Sequence, residues 1–146
     1  MADAIISLAT GDERLMELQA VPFMLINPTP PSVDIFPADP FQDVSSFGPG
    51  SRRTLWTARA RVSTADDVSG QEVLLLLMEV NTDTSLRHVL ENDSGVAALV
   101  DGISVGGPTG YRLYREPSPS QDLQHQGALL GCEWQITADI TQEFST

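Results

Sequence analysis

Few residues in this chain are of a type and spacing that could carry chemistry. His88 and Glu91 stand three positions apart and share a helix face, a spacing that di-metal helical bundles use in several copies. Here there is a single pair, so His88 reads as a surface or helix-end histidine. His125, in a polar Gln-rich stretch, reads as solvent exposed. Cys132 is the one cysteine, which leaves no intramolecular disulfide and no thiolate zinc site. It alternates in phase with Trp134 and Ile136 and is expected in the core, where a free thiol behaves as a small inert hydrophobe. No serine has a His–Asp pattern that would activate it as a nucleophile. Gly106-Gly107-Pro108-Thr109-Gly110 looks superficially like a phosphate loop, but no helix is expected after it and the chain contains no lysine. It reads as a hairpin turn. No catalytic set, metal site or cofactor site is expected, and the residue pattern points away from an enzyme.

Arginine is the more informative residue. All eight basic residues are Arg, which fits a high-GC genome and also suits bidentate pairing at subunit boundaries. Arg52, Arg53, Arg59 and Arg61 put half of that charge within ten positions, with no acid among them. Arg59 and Arg61 alternate with Ala58 and Ala60, so they share the outer face of a strand with Thr57. One reading is a solvated face balanced by cross-strand acids such as Glu133 or Asp139. The other is a basic stripe that meets an acidic surface on a neighbouring copy or another assembly component. Asp66 and Asp67, or the segment from Glu91 to Asp93, could supply such a surface.

Those residues are positioned by elements that the pattern makes legible. The chain has 146 residues, 41% hydrophobic and 19% charged, which suits one globular domain with a single core. A net charge of −12 disfavours a general nucleic-acid binder and anionic membranes. The longest apolar run, Val73 to Met78, is too short to span a bilayer, and the acidic N-terminus is not read as a secretory signal. Strict alternation predicts strands over 54–63 and 129–140, with shorter strands at Val33–Phe36, Ile103–Val105 and Tyr111–Arg115. Residues 3–20 read as a helix, in one piece or in two, since Gly11 weakens the middle and Thr10-Gly11-Asp12-Glu13 fits a capping box at which it could break or restart. Ser69-Gly70-Gln71-Glu72 caps a Leu-rich helix expected to be central and largely buried, and Ser85 to Glu91 forms a shorter one. Prolines punctuate residues 22–50, so 37–53 is expected as an extended loop carrying Phe41 and Phe47. Those two rings either fold back onto the domain or order against a neighbouring subunit. Residues 116–127 read as an exposed loop and 141–146 as a flexible tail. The fold class expected is α+β: a single domain with a mainly antiparallel sheet, helices packed on one face and a long loop between the first two strands.

With those elements in order, the chain resembles the tail terminator (tail completion) proteins of long-tailed bacteriophages, especially those of actinobacterial hosts. The likeness covers roughly residues 2–140. It rests on element order and on the segments Trp56-Thr57-Ala58-Arg59-Ala60-Arg61-Val62, Ser85-Leu86-Arg87-His88-Val89-Leu90-Glu91, Gly110-Tyr111-Arg112-Leu113-Tyr114 and Leu130-Gly131-Cys132-Glu133-Trp134-Gln135-Ile136-Thr137-Ala138. The segment from Pro22 to Pro40 is richer in proline than the family pattern and leaves the first strand's position open. The resemblance implies a structural virion protein assembled in the host cytoplasm into a closed ring, typically a hexamer, at the head-proximal end of the tail tube. Its partners would be further copies of itself, the tail tube protein and the head-side connector or stopper protein. DNA would pass through the ring without sequence-specific binding, and no membrane is involved. Two other readings stand beside it: another neck component such as a head-closure protein, and a monomeric non-viral binding module.

Overall fold

The alternation of Trp56 to Val62 folds as expected, because two faces of one strand here serve two different environments. In the computed structural model, which describes residues 1–11, 15, 18–24, 30–43, 51–63, 69–79, 82–114 and 129–141 (backbone course alone at 9–11, 40–43, 51, 52, 69, 140 and 141), this segment is the middle of β3, Ser51–Ser63. It lies between β2, Ser32–Asp43, and β6, Leu129–Thr141, and is antiparallel to both. β1, Gln19–Val21, adds to β2 in parallel, and β4, Gly102–Val105, and β5, Thr109–Tyr114, both add to β6. The helices are α1, Ala2–Gly11; α2, Ser69–Met78; α3, Leu86–Asn92; and α4, Ser94–Ala97. The architecture is thus a single α+β domain, a mostly antiparallel six-stranded sheet with helices packed on it.

Register explains why the helices take one face. Val33, Ala60 and Cys132 form one row across the sheet, and Ile35, Ala58 and Trp134 form the next. All six are buried in one cluster with Ile5 of α1, Leu74 and Leu77 of α2, and Leu86 and Leu90 of α3. Alanine at 58 and 60 leaves room beside the large Trp134 ring, the small-against-large alternation that close packing needs. α2 can approach β3 because Gly70 has no side chain: a Cβ there would meet the Ser63 carbonyl oxygen at 2.5 Å. The Leu-rich helix is buried on one side through Leu74, Leu76 and Leu77, while Leu75 faces outward. Thr84 donates its hydroxyl to the Leu76 carbonyl at 3.0 Å, satisfying one of the orphan acceptors at the helix end. Ser85 caps α3 by accepting from the His88 amide, and Asp93 caps α4 by accepting from the Val96 amide.

Three expectations are corrected. The segment 37–53 is not one extended loop: β2 runs on to Asp43 and β3 begins at Ser51, so Phe41 lies in a strand. Its prolines are tolerated because the β2–β3 register shifts between Pro37 and Gln42, and because the β1 partner ends at Asp34, leaving edge positions where no donor is required. Second, Gly106 to Gly110 is no hairpin turn. Val105 pairs with Ile136 and Thr109 with Glu133, so β4 and β5 are successive pieces of one interrupted strand running along β6. Third, residues 19 and 20, expected in the N-terminal helix, are strand, while the helix stops at Gly11, where a break was one of the expected outcomes. Phe47, Asp66, Asp67, His125 and the segments 116–127 and 142–146 lie outside the described residues.

Candidate functional site

The sheet face turned away from the helices carries the arginine stripe, and its rows are Ser32–Arg61–Gly131 and Asp34–Arg59–Glu133. The stripe is not a solvated face. The Asp34 side chain is 0% exposed, and Arg59 and Arg61 retain 15% and 7%. Arg59 addresses both carboxylate oxygens of Asp34, with Nη2 at 2.7 Å from Oδ2 and Nε at 3.4 Å from Oδ1. Arg61 Nη2 stands 3.4 Å from the same Oδ2. The Arg59 guanidinium also lies over the Phe36 ring, 5.0 Å from its centroid. Two cations around one carboxylate suit the planar fork of arginine, which is weakly hydrated and tolerates such burial better than lysine. Asp34, Arg59 and Arg61 therefore bind β2 to β3 within the chain; chemically, the cluster is an internal clasp.

The other predicted site residues are dispersed. Arg53 donates through Nε to Asp139 Oδ1 at 3.0 Å, a half-exposed pair across β3 and β6. Arg52 lies beside it on β3, opposite Ile140. Sequence reasoning missed Asp34, yet a signal was present: it interrupts the apolar Val33 and Ile35, and an acid at an alternating strand position belongs on the polar face. His88 stands 3.4 Å from the Asn92 amide through Nδ1, while Glu91 accepts from Arg87 Nε at 3.4 Å and from the Val105 backbone amide at 3.0 Å. Glu91 is thus a tether between α3 and β4. Among the described residues, no group of three His, Cys, Asp or Glu is placed to hold a metal ion.

Cys132 is buried against Trp134 and Ile136 as its phase predicts, and burial, with the Glu133 charge adding to it, pushes the thiol up to about 12. Tyr114 lies against Gly131, where a Cβ would approach its ring within 2.8 Å. Burial is the main reason that its phenol is raised, with the Glu133 charge adding and Arg112 opposing.

Of the large hydrophobic side chains exposed among the described residues, Ile6, Leu75 and Leu99 lie in or just after helices, and four stand at the lateral edges of the sheet. Phe23 and Met24 follow β1, and Tyr111 and Leu113 lie on β5. Arg112, between the latter two, sits over the Tyr114 ring at 4.8 Å. The chain matches no family among those compared, and no curated protein matches it either.

Proposed function

We propose that this protein is a structural component of a bacteriophage virion, a ring of identical copies that terminates the tail tube and joins it to the head-side connector. The observation that carries the reading is the surface left once the core and the clasp are satisfied. Large apolar side chains stand exposed at opposite edges of one sheet, on a protein of net charge −12. Closed rings need two different complementary patches on each protomer, and opposite edges meet that requirement. The net negative charge suits a channel for DNA, because binding to the phosphate backbone depends on clustered cations. Six copies are the expected ring size, and the ring remains at the tail's head-proximal end in the mature particle.

The test uses the purified protein with tube polymerised from a tail tube protein of the same phage. Electron microscopy is expected to show one ring at one end of each tube, and native mass spectrometry a closed oligomer. A protein that stays monomeric at all concentrations and leaves tube growth unchanged removes the proposal in favour of a binding module.

A further inference from the structure

Two exposed surfaces of this chain are both apolar and opposite in charge, and they stand at opposite ends of β6. The first is on β5, where Tyr111 and Leu113 are 46% and 60% exposed with Arg112 exposed between them. Arg112 lies over the Tyr114 ring and forms no ion pair among the described residues. The β5–β6 register shifts between Thr109 and Arg112, and Gly110 takes a φ of +64°. A bulge of this kind ends regular pairing and re-aims side chains, so the segment offers a side-chain surface and not a pairing edge. The second surface follows α4. Leu99 is 76% exposed, Ala97 and Ala98 beside it are exposed too, and Asp93 and Asp101 bracket the three. The corner is held firmly: the Leu99 and Val100 amides donate to the Val96 carbonyl at 3.0 and 3.2 Å, and the Asp101 amide to the Asp139 carbonyl at 2.8 Å. Asp93 caps α4, whereas the Asp101 carboxylate is exposed and forms no ion pair among the described residues.

Both surfaces belong to the helix side of the sheet. Leu113 pairs with Leu130 in the row of Val62, and α4 buries Val96 in the core cluster. Leu113 is level with Leu130 and Gly102 with Asp139, nine positions apart on β6, or about 30 Å. One copy therefore cannot bring its own two surfaces together. We infer that the corner from Ala97 to Asp101 of one copy docks on Tyr111, Arg112 and Leu113 of the next, with Leu99 against the two apolar side chains and Asp101 against Arg112. This contact rests on the ring reading above and specifies it: two different patches at opposite ends of a protomer repeat head to tail. A displacement along the strands joins them with the helix layers of both copies on the same side. Tyr and Arg are the side chains that most often anchor an interface, and a knob fixed beforehand by its own turn loses little entropy on docking. The β1 edge offers Phe23 and Met24 but no acid in 19–24, so it does not complement Arg112. The occupant is a second copy, because one chain carries both the acidic apolar corner and the cationic apolar strand that matches it.

Exchange of the two charges tests this in the whole chain. Arg112→Glu and Asp101→Arg are each expected to raise the dissociation constant for self-association about tenfold or more, read by sedimentation. Combined in one chain, they are expected to restore wild-type association. The Asp101 variant separates a specific contact from general repulsion: it brings the net charge of −12 nearer zero, so repulsion alone would make it associate more tightly. Leu99→Ser is expected to weaken association about tenfold or more as well. All four variants are expected to unfold at the wild-type temperature, since each altered side chain is exposed. Single variants that associate like wild type, or a combined variant that does not recover, overturn the inference. Rings that cap tubes in every variant leave the proposed function standing and remove this contact. Recovery by the combined variant in a protein that never caps tubes does the reverse, and a wild-type chain that stays monomeric removes both.

Discussion

Asp34 is the residue on which the polar face depends, because it is fully buried and holds two guanidinium groups in place. Replacing a buried pair with hydrophobic groups can be neutral, but removing one partner alone strands the opposite charge and costs about 3–5 kcal/mol. Asp34→Ala is thus expected to lower unfolding free energy by about that amount in urea titrations; a loss below about 1 kcal/mol would show that solvent reaches the arginines. Reversal of Arg59 and Arg61 to Glu acts on the fold first, since each would face Asp34, and so it cannot report on assembly by itself. At Cys132 the folded thiol keeps its proton to about 12, whereas the unfolded thiol ionises near its ordinary 9.0. Above pH 9 the unfolded state therefore binds fewer protons than the folded one, and stability falls as pH rises towards 12. Thiol reagents at pH 8 are expected to label Cys132 at the rate of global unfolding, and rapid labelling of native protein would contradict its burial.

At the scale of elements, two close approaches decide how the layers sit. Gly70→Ala would raise intrinsic helix propensity by about 1 kcal/mol. Its Cβ would nevertheless meet the Ser63 oxygen at 2.5 Å and Val62 Cγ2 at 3.0 Å, both on the strand beneath. Backbone cannot yield cheaply, so the substitution is expected to lower the melting temperature despite the better propensity; a rise would mean that α2 slides freely on β3. The α3–β4 tether works through a carboxylate accepting a strand amide. Glu91→Ala is expected to cost about 1–3 kcal/mol and to accelerate hydrogen exchange at the Val105 amide selectively, since the lost bond leaves that donor unpaired. Unchanged exchange at Val105 would remove the tether from the account.

For the whole molecule, charge and edge geometry oppose each other. Each copy carries −12, so protomers repel at long range, whereas the apolar edges act at contact. Raising ionic strength from about 0.01 to about 0.15 M shortens the screening length from roughly 30 to 8 Å. Exposed ion pairs across a boundary between copies contribute about 0–1 kcal/mol each and are outweighed by the relief of repulsion. Self-association followed by sedimentation is therefore expected to strengthen with salt over this range. Weakening with salt would point to an interface held mainly by ion pairs.

What the sequence by itself determined follows from local periodicity. The alternation in 56–62 and 132–140 marked β3 and β6 and their apolar faces, the phase of Cys132 put it in the core, and the helix expected from Ser85 begins one residue later, with Ser85 as its cap. These features depend on neighbours a few positions away, which a sequence displays directly. The tertiary structure alone decided what depends on distant partners. Asp34 meets Arg59 across 25 positions, Glu91 reaches Val105 across 14, and the chain from Gly102 to Tyr114 is one interrupted strand because β6 runs beside all of it. Proline and glycine marked breaks in the chain but not their kind: a bulge in β2 and a gap between β4 and β5 replaced the expected loop and hairpin. Backbone conformation at such residues permits several outcomes, and pairing with a remote strand selects among them.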